Sequence, residues 1–362
     1  MARRVHNFFA GPAALPWEVV KKTAETGVLE FAGQGMSVME ISHRSKPFDG
    51  MFKKAQNDLL KIMGLDPGEY AVLFLGGGAS TQFCHIPFNF LKEGMTADYV
   101  NTGVWSKKAI KEAKYFGKVN IAASSEDRSF SYIPKEFDLT PGAAYVHTTS
   151  NNTIYGTEMW TFPETGDVPL VCDMSSDFLS HPMDFSKFSL IYAGAQKTIG
   201  TSGVTAVVIR RAFAETARED LPTMVNYRTH IAKESLFNTP PSLPVYVVSL
   251  VLEWILENGG IQGIADMNKK KADLLYGTID GSGGFYKPHV SDPDSRSFMN
   301  VTFRLPSEDL EKKFVAQGAE LGLMGLKGHR DVGGCRASIY NAVTLECVEA
   351  LVDFMEKFKQ EN

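Results

Sequence analysis

Residues 193–203 read AGAQKTIGTSG, with the apolar run Leu190, Ile191, Tyr192 before them and another, residues 204–209, after. Apolar run, small-residue loop and second apolar run predict strand, exposed turn and strand, with Lys197 set among side chains too small to cover it. A lysine in that setting is either a solvated loop cation or a Schiff-base lysine. The second role needs a partly desolvated, positively biased pocket, because an amine that condenses with an aldehyde must first lose its proton.

Working outward, the same texture repeats. Residues 70–75 (YAVLFL) predict a buried strand, GGGAS a turn and residues 81–91 a helix. Further apolar runs at 97–101, 119–122, 143–147, 169–173, 189–193 and 204–210 alternate with helical spacing, most clearly in SKKAIKEAKYFG. Two more helices are expected at 17–30 and 48–63. Strands alternating with helices predict an α/β fold with a mostly parallel central sheet covered on both faces. After about Asn238 the breaker cluster PPSLP intervenes, and a long, interrupted helical region runs from 245 to 275. Runs at 298–303 and 336–341 then alternate with helices at 307–321 and 345–359, as in a smaller α+β unit. The expected division is a large domain, 16–258, and a small C-terminal domain, 259–362, with residues 1–15 packing across the active-site side.

Bulk properties narrow the function. At 362 residues, 44% apolar and 22% charged, the chain is an ordinary globular protein of two domains. A net charge of -5 leaves no basic footprint for nucleic acid. The start, MARRVHNFF, runs into Ala10, Gly11 and Pro12 where a signal peptide would have its apolar segment. Residues 243–255 are broken by Pro244, Ser249 and Glu253 and are too short to span a bilayer. No membrane partner and a cytoplasmic location are therefore expected. Cys84, Cys172, Cys335 and Cys347 lack CxxC spacing, so neither a metal site nor a disulfide framework is expected.

In a parallel sheet, ligands collect where the strands end at their carboxyl edge. Gly76, Gly77, Gly78, Ala79 and Ser80 join a strand to a helix, so backbone N–H groups and the helix dipole suit a phosphate there, or else the turn is merely tight. Asp173 ends the run PLVCD; it either caps the next helix or pairs with a protonated pyridine nitrogen. Trp105, in NTGVWS, sits beside Gly103 and Ser106 in a turn, where an indole is useful if it stacks on something flat. A phosphate cradle, a flat stacking surface, an acid for a pyridinium and an amine for an aldehyde together describe pyridoxal 5′-phosphate.

At these residues the chain resembles a known family, the phosphoserine aminotransferases, within the fold type I class V aminotransferases. The likeness runs nearly end to end, through NFFAGPAALP, MEISHRSKPF, LGGGASTQF, TGVWS, TSNNTIYGTE, VCDMSSDFLS, AGAQKTIGTSG, FNTPPSLPVY and GHRDVGGCRASIYNA. The resemblance implies a large domain built on a mostly parallel sheet and a smaller α+β domain. It implies Lys197 as the Schiff-base lysine, Asp173 as the partner of the pyridine nitrogen, Trp105 stacked on the ring and Thr153 on the 3′ oxygen. Gly78, Ala79, Ser80 and Gln196 fall at phosphate-binding positions. Asn238 and Thr239 match positions that reach the phosphate from the other subunit, which implies a homodimer with sites at its interface. Some relatives carry an arginine in the loop where this chain has Ala79 and Ser80, so the phosphate would rest here without a loop cation.

Charge bears on the substrate. A phosphorylated amino acid brings a carboxylate and a phosphate, and a guanidinium meets either with two parallel hydrogen bonds. By resemblance Arg336 clamps the α-carboxylate, while His43, Arg44, His329 and Arg330 hold the phosphate or the distal carboxylate of glutamate, with His329 and Arg330 serving the neighbouring subunit. The implied reaction converts phosphoserine and 2-oxoglutarate to 3-phosphohydroxypyruvate and glutamate, reversibly, in serine biosynthesis. Two rivals stand beside it: a cysteine desulfurase using Cys335, and a phosphate-binding protein without amine chemistry.

Overall fold

The computed structural model describes residues 4–362. Its central sheet holds β1 (Tyr70–Leu75), β2 (Thr96–Asn101), β3 (Lys118–Ser124), β4 (Val146–Thr149), β5 (Leu170–Asp173), β6 (Leu190–Gly194) and β7 (Thr205–Arg210). Across the sheet they lie in the order β1-β7-β6-β5-β4-β2-β3. β2 to β6 pair in parallel, and β7 runs antiparallel between β1 and β6. The cause is connection length. The turn around Lys197 is too short for a crossover, which needs a dozen residues or more, so β7 folds straight back beside β6. β1 consequently points the same way as β6, and the carboxyl ends of β1, β2, β4, β5 and β6 share one edge.

The helices that cover the sheet include α1 (Trp17–Thr23), α2 (Lys46–Met63), α3 (Gly78–Phe90), α4 (Val104–Ala113) and α5 (Ser242–Glu257), followed by α6 (Gly260–Asp280). On one face Phe48, Phe52, Leu59, Val72, Phe74, Val248 and Leu252 pack into a core; on the other, Leu73, Phe83, Ile86, Tyr99, Ile110 and Val207. β1, β4, β5 and β6 are buried along their whole length, and β1 and β6 are accordingly near-continuous apolar runs rather than alternating ones, while β4 (VHTT) buries polar side chains.

A second, antiparallel sheet has β8 (Lys287–Pro288), β9 (Asn300–Arg304) and β10 (Cys335–Ser338) side by side, covered by α7 (Glu308–Glu320) and α8 (Leu345–Glu361). Its core of Tyr286, Val301, Phe303, Phe314, Ile339, Leu351 and Met355 also takes in Phe8. α6 serves two cores at once: Ile264 packs with the large sheet, Ala272, Leu275 and Ile279 with the small one. From Phe8 the N-terminal segment crosses between the sheets, where Tyr340 donates to the Ala10 carbonyl and the Ala13 N–H donates to that of Gln196. Among the described residues no helix is long and apolar enough to cross a membrane.

The first helix differs from the sequence expectation. It gives way after Thr23 to a widened π-helical segment, Ala24–Leu29, in which the Tyr246 ring occupies the space beside Gly27; a Cβ there would stand 2.4 Å from the ring. The helical region expected from 245 to 275 is two helices, broken at Asn258 and Gly259.

The hairpin of Asn151–Asn152 and Thr157–Glu158 meets the small sheet, with Asn151 Nδ2 donating to Asn300 Oδ1 and Thr302 Oγ1 to the Tyr155 carbonyl, each at 2.8 Å. Gly156 turns it with φ +81°, and a Cβ there would lie 2.7 Å from Thr302 Oγ1 and 2.8 Å from the Asn300 carbonyl. Both faults add, so Gly156→Ala is expected to destabilise the fold by more than about 1 kcal/mol and lower the thermal midpoint. An unchanged midpoint would contradict this packing.

Candidate active site

Gly78, Ala79, Ser80, Trp105, Thr153, Asp173 and Lys197 lie at or just past the carboxyl ends of strands, and the strand order brings them together. After β1, Gly77 (φ +91°) and Gly78 (φ +71°) turn the chain into α3 through a left-handed conformation that favours glycine. Thr81 Oγ1 donates to the Gly77 carbonyl at 2.6 Å and fixes the turn. The first residues of α3, Gly78, Ala79 and Ser80, line a cleft with the positive end of the helix beside it. After β2, Trp105 lies in the first turn of α4, where the sequence predicted only a turn, and its Nε1 donates to Thr153 Oγ1 at 3.1 Å. Thr153 comes from the hairpin after β4.

Asp173 ends β5 and is buried. The Ser175 N–H donates to its Oδ1 at 2.9 Å. Burial raises its carboxyl above the usual range, against the stabilising pull of Ser175, the Lys197 charge and the Tyr192 hydroxyl. Lys197 follows β6, with its stem beneath Gly11, whose added Cβ would stand 3.5 Å from Lys197 Cγ. Its Nζ is 5.6 Å from the centre of the Trp105 ring. Burial pushes this amine below the ordinary lysine value; Asp173 and Asp177 pull it partly back, and Arg336 pushes it down again. Only the cleft side of Lys197 is open. Burial outweighs the two carboxylates that would keep this amine charged, with Arg336 as a smaller aid, and a lysine lowered in this way suits a nucleophilic role.

Asp177 lies beneath, with Ser150 Oγ donating to Oδ1 at 2.6 Å, and burial raises its carboxyl to about 7. Arg336 enters from β10, bonding the Thr153 carbonyl through Nη1 at 2.7 Å while its buried Nε is left without a partner. A guanidinium held at one corner, with a free N–H beside it, is ready for an anion.

The resulting cleft, about 590 Å³, brings together Gly78, Ala79, Ser80, Trp105, Thr153, Asp173, Gln196, Lys197, His329, Arg330 and Arg336. It does not include His43, Arg44, Asn238 or Thr239. His329 and Arg330, in the turn before β10, are among the residues that line the cleft. The turn carrying them folds back, with the Gly333 N–H on the His329 carbonyl at 2.7 Å and the Gly328 N–H on that of Gly334 at 2.9 Å. The Arg330 side chain remains 91% exposed. His43 is buried outside the cleft lining, its Nε2 unpartnered, and burial and the Arg44 charge lower its pKa.

Sequence reasoning missed several lining residues. Lys108, one turn beyond Trp105, holds its Nζ 4.4 Å from the indole centre, and Asn151 and Ser176 bond each other on the cleft floor at 2.8 Å. The helical spacing from Trp105 to Lys108 was the available signal. A second cavity of about 530 Å³ lies where residues 133–137 meet 293–298. The two charges lining it, Lys135 and Asp294, pair with each other at 3.2 Å, so no comparable set of groups converges there.

The residues present fit pyridoxal 5′-phosphate. A buried carboxyl raised by desolvation gains from a protonated ring nitrogen, an anion suits the α3 N-terminus, and Lys197 is open on the cleft side alone. Among the described residues no cluster of side chains suits a metal ion.

Comparison with known proteins agrees. The profile of the family described as Aminotransferase class-V matches residues 5–351. A phosphoserine aminotransferase of Desulfatibacillum aliphaticivorans is 57% identical over 364 residues, covering 100% of both chains. The structure of phosphoserine aminotransferase from Bacillus circulans subsp. alkalophilus superposes with a TM-score of 0.96 at 53% identity, covering 99% of each chain. That of a PLP-bound phosphoserine aminotransferase from Trichomonas vaginalis gives 0.91 at 37% identity, over 98% of this chain and 100% of that one. With a full-length match at this level of identity, the chain belongs to the class V aminotransferases and, within them, to the phosphoserine aminotransferase family.

Proposed function

We propose that this enzyme transfers the amino group of O-phospho-L-serine to 2-oxoglutarate, reversibly, through pyridoxal 5′-phosphate held between Trp105, Asp173 and Lys197, as a step of serine biosynthesis. The observation that carries the reading is the meeting of a desolvated lysine and a buried aspartate, from adjacent parallel strands, in a cleft that also holds an anion-binding helix N-terminus.

Pyridoxal 5′-phosphate, when bound, supplies an aldehyde that condenses with amines and a ring that draws electrons from the substrate Cα. The chain does the rest. Lys197, once displaced and neutral, moves the proton at Cα, for which burial and Arg336 keep it poised. Asp173 holds the ring nitrogen protonated. The N–H groups of Gly78, Ala79 and Ser80, together with the Ser80 hydroxyl and Gln196, hold the phosphate. Thr153 accepts from Trp105, so its own hydroxyl proton is free for the 3′ oxygen. Trp105 presents its flat face to the ring.

Arg336 clamps the α-carboxylate with the side of the guanidinium not engaged on Thr153. The His329–Arg330 pair, lining the same cleft, is assigned to the distal anion, phosphate in one half-reaction and carboxylate in the other. Asn238 and Thr239 stand outside the cleft of their own chain, which favours a homodimer in which they reach the cofactor phosphate of the second copy. His43 and Arg44 complete the cation set on that dimer.

Cys335 is unsuited to the desulfurase alternative. It is buried in β10 opposite Phe303, and burial pushes its thiol far above the range of a working nucleophile.

Two outcomes are expected. In a screen of amino donors, phosphoserine should outpace serine, alanine and aspartate; Arg330→Ala should remove that preference by roughly ten- to a hundredfold in kcat/KM, and Cys335→Ser should not. Comparable turnover of serine by the native enzyme would contradict the assignment. In the cofactor-free protein, the pH dependence of Lys197 acylation, followed by peptide mass, should give a midpoint below that of surface lysines. Asp173→Asn should lower it further, because a favourable negative charge is lost, and Arg336→Gln should raise it. The opposite signs would refute the electrostatic account.

A further inference from the structure

The sheet beneath the cleft holds a polar row of which the reaction as described uses Asp173 alone. Asp173 on β5 is directly paired with Tyr192 on β6, and Tyr99 on β2 with His147 on β4. In the same registers Thr149 pairs with Asp173 and His147 with Val171. Two-residue alternation therefore puts Asp173, Tyr192, His147 and Tyr99 on one face of the sheet. Tyr192 and His147 are at most 1% exposed, and the Tyr192 hydroxyl lies 2.9 Å from His147 Nε2. His147 in turn stacks on Tyr99, with ring centres 4.8 Å apart.

We propose that Tyr192 is a positioning residue for Asp173, its hydroxyl donating to the carboxylate while accepting a hydrogen bond from His147 Nε2. This rests on the assignment of Asp173 to the ring nitrogen. The direction follows from which atoms can be left unpaired. His147 Nδ1 is buried without a partner. A bare acceptor there is cheaper than an orphaned N–H, so the proton belongs on Nε2. With Nε2 donating, Tyr192 keeps its own proton for Asp173. Burial holds the imidazole neutral, which preserves this arrangement.

The function needs such a donor at one moment in particular. Ser175, the Lys197 charge and Tyr192 favour the ionised form of Asp173 against burial. When Lys197 is neutral and acting as a base, its help is gone, and Ser175 and Tyr192 remain. A phenylalanine at 192 would fill the same space without a buried hydroxyl to satisfy. The other titratable groups around the row are Lys197 and Asp177 on the cleft side, Tyr227 on the same face, and Cys172 on the opposite face of β5. Burial keeps Cys172, Tyr99 and Tyr227 neutral through the working range.

The test compares Tyr192→Phe, His147→Leu, His147→Gln and Asp173→Asn. Tyr286→Phe, which removes a buried hydroxyl bonded to the Met355 carbonyl far from the cleft, serves as control. The readouts are the Kd for pyridoxal 5′-phosphate, from quenching of tryptophan fluorescence, the pH profile of kcat/KM for phosphoserine, and the thermal midpoint. Tyr192→Phe should weaken cofactor binding roughly tenfold. It should also move the acid limb of the profile to higher pH, because a carboxylate that loses a donor protonates more readily. His147→Gln, whose amide N–H replaces Nε2–H, should recover part of what His147→Leu loses, and Tyr286→Phe should shift neither readout. If Tyr192→Phe leaves cofactor Kd and the acid limb unmoved while Asp173→Asn abolishes activity, the Tyr192 role is overturned and that of Asp173 stands. If Asp173→Asn itself binds cofactor and turns over normally, the assignment beneath both is wrong.

Discussion

Parallel pairing of β5 with β6 is the constraint on which the site depends. Adjacent parallel strands end at the same edge, so an acid at the end of one and a lysine just past the end of the other converge without any further device. An antiparallel pairing would have sent them to opposite edges. Convergence in a buried place then sets their chemistry, because desolvation raises the carboxyl and lowers the amine until each depends on the other and on the group bound between them.

The rest of the fold supplies groups to that edge from several directions. β1 delivers a helix N-terminus, β2 an indole and the hairpin after β4 a hydroxyl, each on rigid elements rather than on long loops. The small sheet contributes Arg336, and the bond from its guanidinium to the Thr153 carbonyl ties the substrate clamp to the residue that also holds Trp105. The N-terminal segment is fixed at Ala10 and Ala13 and roofs Lys197, leaving access from the cleft alone. Removal from water is thus a joint product of both sheets and the leading strap of chain.

Much of this was legible in the sequence because the large sheet writes its strands as unbroken apolar runs and ends them in glycine, aspartate or small-residue turns. YAVLFLGGGAS, PLVCD and AGAQK each mark a strand and the polar or small residues that end it. The parts that depend on long-range packing were not legible. The widening of the first helix over Ala24–Leu29 depends on the Tyr246 ring beside Gly27, a contact far away in sequence. His329 and Arg330 lie in a glycine-rich turn whose direction is set by backbone bonds between residues with no pattern of their own, so their place beside the cleft carries no local signal. Tyr192 and His147 sit inside runs that read as plain core, and only the strand register reveals that they face Asp173.

The central claim is that the Lys197 amine carries the cofactor aldehyde. Borohydride reduction of the protein loaded with pyridoxal 5′-phosphate, followed by digestion and mass spectrometry, addresses it directly. The account predicts a phosphopyridoxyl group on Lys197 and on no other lysine. An unmodified Lys197 in the presence of excess cofactor, or the label on a different lysine, would contradict it.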